Sequence, residues 1–161
     1  MSWNQKMSPE KYKIGVVVSS GGHLAQLHCL PDWWKKHDRF WVTFDKPDAQ
    51  SLLKGETVYW GNFPTNRNLK NMIRNGFQAL RVLRKERPDI LVSNGAGLSV
   101  PYFWVGKLFF GCKTVYIEVY DRIDSPTLSA RLVRPVLDQM VIQWEDQRAF
   151  YPEAENLGPV L

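Results

Sequence analysis

Short runs of β-branched and aromatic residues alternate along the chain with stretches whose apolar residues recur at helical spacing. The runs have the length and composition of buried strands. They predict six strands, at residues 14–18, 39–44, 57–60, 90–93, 113–118 and 137–143. Strands that alternate with helices form right-handed crossovers, which build a parallel sheet with helices on both faces. The pattern therefore predicts an α/β fold, a Rossmann-like parallel sheet flanked by helices.

The segments between these strands predict the helices. They extend from after Gly22 to near Trp34, from Pro47 to Gly55, from Asn66 to Pro88, from Ser99 to Cys112, from Ser125 to Pro135, and over 144–151, with Asn66, Ser99 and Ser125 as N-caps. The long helix has its apolar residues on one face, namely Leu69, Met72, Ile73, Phe77, Leu80 and Leu83.

The longest apolar tract, residues 98–112, is predicted to be a buried helix. It contains Lys107, and it is shorter than the about 20 apolar residues that a membrane-spanning helix needs. No linker rich in Pro, Gly or Ser divides the chain. We therefore expect a loose N-terminal tail over residues 1–12 and one Rossmann-like domain over residues 13–161.

Residues 19–22, Ser-Ser-Gly-Gly, connect the first predicted strand with the first predicted helix. Two glycines permit a positive φ and the close approach of a ligand, and the amides at a helix N-terminus attract anions. We therefore predict a phosphate or diphosphate at Ser20, Gly21 and Gly22. His23 follows, where its ring either holds that anion or accepts a proton beside it. The alternative is a short turn that binds nothing, because the full G-x-G-x-x-G of dinucleotide sites is absent.

Three further polar loops follow predicted strands, at residues 62–66, 94–97 and 118–125. The carboxyl ends of parallel strands lie at one edge of a sheet, so these loops are expected beside residues 19–23. The alternatives are a close strand-to-helix turn at 94–97 and, at 118–125, a solvated loop with local ion pairs.

The charge of the chain favours an anionic partner. Lys and Arg number 21 against 16 Asp and Glu, which gives a net charge of +5 and a pI near 9.3. Nucleic acid, a phospholipid surface and a phosphorylated substrate all satisfy that charge, but no nucleic-acid-binding motif accompanies it. Cys29 and Cys112 have neither zinc-site spacing nor a C-x-x-C arrangement. We therefore predict no metal site, and free thiols in a reducing cytoplasm.

Six segments together resemble one known family: VSSGGHL at 18–24, SNGAG at 93–97 followed by VP at 100–101, GKLF at 106–109, KTVYIE at 113–118, Arg122 with SPT at 125–127, and VIQWE at 141–145. The family comprises the membrane-associated, acceptor-side subunits of two-component UDP-sugar glycosyltransferases. It includes the asparagine-linked glycosylation fourteen protein of eukaryotes and the PssD, EpsE and CpsF type proteins of bacterial exopolysaccharide and capsule synthesis.

The resemblance implies a GT-B glycosyltransferase that is split into two polypeptides, of which this chain is the N-terminal, acceptor-binding half. A separate donor-binding subunit carries the UDP-sugar, so no cofactor is expected in this chain, which is inactive or weakly active alone. The implied acceptor is a polyprenyl-diphosphate-linked sugar, extended in exopolysaccharide or capsule synthesis. The alternative is a non-catalytic scaffold that only recruits the catalytic partner to the membrane.

The resemblance also implies roles for the loop residues. His23 is the candidate general base and Glu118 is its rival, although Glu118 has the alternative role of an ion pair with Arg122. The residues assigned to the acceptor and its diphosphate are Ser20, Gly21, Gly22, Asn94, Gly95, Gly97, Asp121, Arg122 and Ser125.

Eukaryotic members resemble this chain after an N-terminal transmembrane anchor, and no such anchor is visible in this sequence. Peripheral association with the cytoplasmic face of the inner (plasma) membrane is therefore expected. The candidate contacts are an aromatic and basic patch and the basic long helix: Trp33, Trp34, Lys35, Lys36, Arg74 and Arg81. The alternative is a solvated basic surface with the two tryptophans packed on the domain.

Overall fold

A computed structural model describes residues 11–159, which contain one seven-stranded sheet. The strands are β1 Lys13–Val17, β2 Asp38–Thr43, β3 Val58–Trp60, β4 Ile90–Ser93, β5 Lys113–Ile117, β6 Gln139–Ile142 and β7 Glu155–Asn156. Every pairing is parallel, in the order β3-β2-β1-β4-β5-β6-β7. All six predicted strands are present, and β7 was not predicted. The predicted tail lies outside the described residues, apart from residues 11 and 12.

Six α-helices lie in the described part of the chain: α1 Gly22–His28, α2 Pro31–Trp34, α3 Pro47–Leu52, α4 Leu69–Glu86, α5 Ser99–Phe110 and α6 Leu128–Val133. Two 3₁₀ turns follow, at Arg134–Val136 and Glu145–Ala149. The prediction of one continuous helix between the first glycine loop and Trp34 is wrong, because α1 ends at His28 and Pro31 begins a new helix. Proline is favoured in the first turn, where its missing N–H costs no hydrogen bond.

The helices cover the sheet in two layers. One buried cluster joins β1 side chains such as Val16 to Leu24 of α1, Trp34 of α2 and Ala49 of α3. The other cluster contains Val17, which points to the opposite face, and residues of α4, α5 and α6. Helices α1 to α3 therefore lie on one face of the sheet and helices α4 to α6 on the other.

Two of the predicted N-caps are displaced by two residues. Asn68, not Asn66, caps α4, and its Oδ1 accepts a hydrogen bond from the amide of Asn71 at 3.0 Å. Thr127, not Ser125, caps α6 through its side chain. Both pairs contain residue types that cap helices well, so the choice depends on where the backbone turns rather than on composition.

Helix α4 has its apolar side turned away from the sheet over its first turns. Leu69, Ile73 and Phe77 are exposed. The buried residues of the helix are Asn71, Asn75, Ala79, Val82 and Leu83. Of the six apolar residues that the pattern places on one face, only Leu83 is buried. The side of the helix that packs on the domain is therefore not the predicted apolar face.

Helix α5 is largely buried, as predicted, although its last turns are not. Its first residues pack against the sheet, whereas Trp104, Leu108 and Phe109 are exposed and Lys107 pairs with Asp138 at 2.6 Å. Ser99 is the first residue of the helix rather than its N-cap. Within residues 11–159, no helix combines the length and apolar character required to cross a membrane.

Candidate functional site

Four loops meet at the carboxyl edge of the sheet, as the topology requires. They follow β1, β3, β4 and β5. The two central strands, β1 and β4, are neighbours, yet α1 leaves toward one face and α5 toward the other. A crevice opens at such a switch point in doubly wound sheets, and ligands bind there. The candidate site is therefore centred on the loops after β1 and β4, at residues 19–23 and 94–97.

The first glycine loop, residues 19–23, is open toward solvent. Gly21 and Gly22 are exposed, Ser20 is half-buried, and a Cβ added at either glycine would meet nothing within 4 Å. Gly21 has a φ of +86°, which disfavours a side chain on conformational grounds alone. Its amide donates a hydrogen bond to Oδ2 of Asp48 at 2.6 Å. The backbone of this loop therefore presents a donor that already accommodates an acidic oxygen.

The second glycine loop, residues 94–97, is closed by packing. Gly95 is buried with a φ of +134°, and a Cβ there would lie 2.9 Å from Cε1 of His23. A Cβ on Gly97 would lie 3.1 Å from Cβ of Thr65, in the loop after β3. Asn94, which is buried, donates its Nδ2 to the carbonyl of His23 at 2.9 Å. Side chains and backbone thus join three of the four loops.

His23 lies where the two glycine loops touch, and its ring is half-buried against Gly95. Burial lowers the pKa of this imidazole from its ordinary value, because desolvation penalises the charged form. A hydrogen bond to the backbone of Asn94 and the charges of Asp121 and Glu118 oppose that shift without cancelling it. The ring is therefore held in the neutral form that accepts a proton.

Glu118 is buried rather than available to a substrate, which corrects its assignment as a rival general base. Its side chain accepts a hydrogen bond from the hydroxyl of Tyr151, from the amide of Val119 at 3.1 Å and from Oγ1 of Thr127 at 3.2 Å. The alternative ion pair with Arg122 is not formed within the described residues, and Arg122 is exposed. Glu118 therefore anchors the loop after β5, and its oxygens are occupied.

The residues that hold this loop from beneath were not found by sequence analysis. Gln147 is buried and donates its Nε2 to the carbonyls of Val119 and Arg122 at 2.9 and 3.1 Å. Tyr116 shares a hydrogen bond with Thr127 at 3.0 Å, and its hydroxyl also lies near Gly95. No local pattern distinguishes Gln147 from its polar neighbours, and the two carbonyls that it holds are more than 20 residues away in the sequence.

The remaining assigned residues of this loop form its outer surface. Asp121 and Arg122 are exposed, and Ser125 is half-buried. Asp121 is close enough to affect the charge of His23, so one side of the loop borders the crevice. No group of three His, Cys, Asp or Glu side chains in the described ranges is arranged to hold a metal ion.

The six candidate membrane contacts do not share one surface. Trp34 is 3% exposed, packs edge-on against Trp41 at 5.6 Å and lies beneath the guanidinium of Arg39. Its assignment to the membrane is therefore wrong, since the indole fills the core under α2. Trp33 is half-buried, and Lys35 and Lys36 are exposed. Arg74 and Arg81 are also exposed, but they belong to α4 on the opposite face of the sheet.

Several solved structures have a similar fold. MurG of Acinetobacter baumannii aligns with a TM-score of 0.68 and 13% identity over 83% of this chain and 42% of its own. A UDP-N-acetylglucosamine 2-epimerase from Rickettsia bellii aligns with a TM-score of 0.71 and 15% identity over 94% and 46%. These similarities confirm the predicted fold class, an α/β fold with a Rossmann-like parallel sheet flanked by helices. Its equivalence to the N-terminal half of a GT-B glycosyltransferase stays a prediction.

Sequence similarity defines the family. The family described as "Oligosaccharide biosynthesis protein Alg14 like" matches residues 61–160, and the chain belongs to it. A relative from Candida albicans is 34% identical over 92% of this chain and 78% of its own length. A relative from Debaryomyces hansenii is 30% identical over 88% and 62%. Both relatives are named UDP-N-acetylglucosamine transferase subunit ALG14.

The predicted resemblance to the eukaryotic protein is thereby confirmed. The resemblance to the bacterial PssD, EpsE and CpsF type proteins stays a prediction. The match spans less than two thirds of the Debaryomyces hansenii relative.

Proposed function

We propose that this chain is the acceptor-binding subunit of a two-chain glycosyltransferase that transfers N-acetylglucosamine from UDP-N-acetylglucosamine to a polyprenyl-diphosphate-linked sugar. The observation that carries the proposal is the contact of the His23 ring with Gly95, which places one candidate base at the junction of two glycine loops. The names of the relatives support the donor sugar and the subunit role.

In this proposal His23 accepts the proton of the acceptor hydroxyl as the new glycosidic bond forms. Packing of the imidazole ring against Gly95 fixes its orientation. Burial favours the neutral imidazole, which is the form required of a general base. UDP leaves with the bonding electron pair on the donor side, so stabilisation of the leaving group falls to the partner subunit.

The acceptor diphosphate is assigned to the open side of the first glycine loop. The space in front of Gly21 and Gly22 supports this placement, as does the amide of Gly21, which donates to the carboxylate of Asp48. An incoming diphosphate replaces that carboxylate at the amide. Asn94, Gly95 and Gly97 form the wall of the pocket behind it.

The donor-binding subunit, the lipid-linked acceptor and the cytoplasmic face of the membrane complete the proposed assembly. This chain binds the acceptor, and the UDP-sugar enters from the partner. Exopolysaccharide and capsule synthesis stay a prediction of the bacterial resemblance, whereas the description of the family favours oligosaccharide biosynthesis.

The test compares two histidines of α1 in membranes that contain this chain together with its donor-binding subunit. Transfer from radiolabelled UDP-N-acetylglucosamine to a short-chain polyprenyl-diphosphate-linked sugar is measured for His23→Ala and for His28→Ala. His28 is also half-buried but packs against Trp34, away from the glycine loops. Loss of a general base lowers turnover by about a hundredfold or more, so His23→Ala is expected to fall by that factor and His28→Ala to retain activity. Equal turnover in wild type and His23→Ala contradicts the catalytic role.

The second candidate function is the non-catalytic scaffold, and the occupied oxygens of Glu118 favour it by leaving one candidate base instead of two. Association of the two subunits, measured by co-purification, separates the two candidates. A catalytic subunit loses turnover in His23→Ala while the complex still assembles. A scaffold keeps its turnover whenever the complex assembles.

A further inference from the structure

The first turns of α4 present an apolar surface that the domain itself does not use. Leu69, Ile73 and Phe77 are 69%, 54% and 67% exposed. They are spaced four residues apart, so they form one line along the helix, here named the α4 stripe. Helices of soluble domains turn such a line toward the core, and isolated exposed apolar residues are common whereas contiguous ones mark interaction sites.

Hydrogen bonds on the opposite side of the helix fix this orientation. Asn71 donates its Nδ2 to the carbonyl of Pro64 at 2.8 Å. Asn75 accepts the amide of Asn62 at 2.8 Å and donates to its carbonyl at 3.1 Å. Both asparagines are buried, and turning the α4 stripe inward would leave their amide groups and the loop carbonyls unpaired, at a high cost in free energy. The outward direction of the stripe is therefore a property of the fold.

The charge around the α4 stripe has a single sign. Residues 61–85 include no Asp or Glu, and their basic residues are Arg67, Lys70, Arg74, Arg81, Arg84 and Lys85. All six are exposed, and none forms an ion pair with a carboxylate in the part of the chain that the structure describes. An apolar line bordered by unpaired positive charges is complementary to a bilayer with anionic headgroups, which offers hydrocarbon and negative charge in adjacent layers.

The α4 stripe begins beside the candidate site. The loop that precedes α4 contacts the second glycine loop, where Thr65 packs on Gly97. The N-terminal end of the stripe therefore lies at the same edge of the sheet as His23. A surface bound to the stripe would be adjacent to the glycine loops, and a diphosphate held at that surface by a lipid chain would be within reach of them.

We infer that the α4 stripe, with Lys70, Arg74 and Arg81 beside it, is the surface by which this chain binds an anionic phospholipid bilayer. This inference rests on the proposed function only for its biological purpose, which is to bring a lipid-linked acceptor to the glycine loops. It replaces the patch at Trp33 to Lys36 as the principal contact, because that patch lies on the other face of the sheet and Trp34 is buried within it.

The first test measures binding of the full chain alone to sedimented vesicles of phosphatidylcholine with phosphatidylglycerol. The double substitution Ile73→Ser with Phe77→Ser is compared with Leu108→Ser and Phe109→Ser. The control pair on α5 is at least as exposed, at 64% and 69%, but lies at the other end of the helix layer. Loss of two inserted apolar side chains is expected to lower the partition coefficient about tenfold or more, while the control pair retains wild-type binding.

The second test separates local charge from net charge. Arg74→Gln with Arg81→Gln and Lys35→Gln with Lys36→Gln each remove two positive charges, on opposite faces of the sheet. The α4 pair is expected to reduce binding about tenfold or more, and the α2 pair to reduce it much less. Vesicles of phosphatidylcholine alone should bind the wild-type chain weakly.

Three results would overturn the inference. The first is wild-type vesicle binding by both α4 variants, and the second is equal loss in both charge pairs. The third is absence of vesicle binding by the wild-type chain. Loss of donor-subunit association in Ile73→Ser with Phe77→Ser would then make the stripe a protein interface. Because no donor, acceptor or partner is present in the vesicle assay, these failures are distinct from a failure of the proposed transfer reaction.

Discussion

The two glycine loops of the candidate site differ in what their glycines are for. In the loop after β1, Gly21 and Gly22 are exposed and side chains would meet nothing. In the loop after β4, Gly95 and Gly97 are in contact with His23 and Thr65, so a side chain would collide. The first loop has free space on its outer side, whereas the second is a packed wall.

This difference shows that a glycine pattern has no single physical meaning. Close packing of the second loop fixes the position of His23, and its glycines contribute to stability as well as to the site. Gly22 of the first loop makes no close packing contact, so the space in front of this glycine is available to a ligand. Substitutions in the two loops should therefore affect stability and turnover in different proportions.

The largest effect is expected for Gly95→Ala. A φ of +134° strains any L side chain by about 1–3 kcal/mol, and the added methyl group displaces the His23 ring. We expect both a lower melting temperature and a loss of turnover similar to that of His23→Ala. Gly111→Ala is the matched control, since Gly111 also has a positive φ but has nothing within 4 Å of its Cβ. Gly111→Ala should lose stability and keep its specific activity; a Gly95→Ala enzyme with full turnover would contradict the packed-wall description.

A smaller effect is expected from pH, and it tests the state of His23 directly. Burial lowers the pKa of this residue, so the neutral base predominates near neutral pH. Turnover is expected to fall only as the pH drops through that lowered pKa, and then by about tenfold for each further pH unit. Between that lowered pKa and the ordinary histidine pKa, the folded chain binds fewer protons than the unfolded chain, so the free energy of unfolding decreases as the pH falls through this range.

Asp121→Asn sharpens the pH experiment. The charge of Asp121 raises the pKa of His23, so its removal should move the acidic limb of the rate profile to lower pH without abolishing turnover. A limb that does not move, or that moves upward, would show that another group titrates.

The smallest effect on stability is expected for Gly22→Ala. Gly22 lies in α1, has no positive φ and faces open space, so the free energy of unfolding should change by less than about 0.5 kcal/mol. If the acceptor diphosphate approaches the loop, the added methyl group should nevertheless raise the KM for the acceptor. A variant with unchanged stability and unchanged acceptor KM would show that the space is not used.

Local patterns predicted the sheet and the position of the glycine loops. The strands β1 to β6 have β-branched or aromatic cores, and the residues 19–23 and 94–97 follow two of them directly. The strand β7, Glu155–Asn156, has no such pattern because it is short, polar and formed only by pairing with β6. Its existence therefore depends on the finished sheet rather than on its own residues.

The environment of single side chains was harder to predict. The sequence places Glu118 at the end of a predicted strand, where a carboxylate can face a ligand, yet its partner Tyr151 is distant in sequence. The sequence predicts that Trp34 contacts the membrane, yet Trp41 and Arg39 enclose its indole ring. Periodicity located the apolar line on α4. Periodicity alone does not show whether such a line faces the sheet or the solvent, and on α4 the buried asparagines on the opposite side of the helix decide that it faces the solvent.

The asparagines of α4 also divide that helix into two segments of unequal anchorage. Ala79, Val82 and Leu83 are held by the apolar core, whereas Asn71 and Asn75 are held by amide contacts to the chain at residues 62–64. Opening of that short connection releases the beginning of the helix and leaves its end in place. Amide hydrogen exchange should therefore follow a gradient along α4, with the loop and the first turns exchanging together and the last turns exchanging only when the domain unfolds.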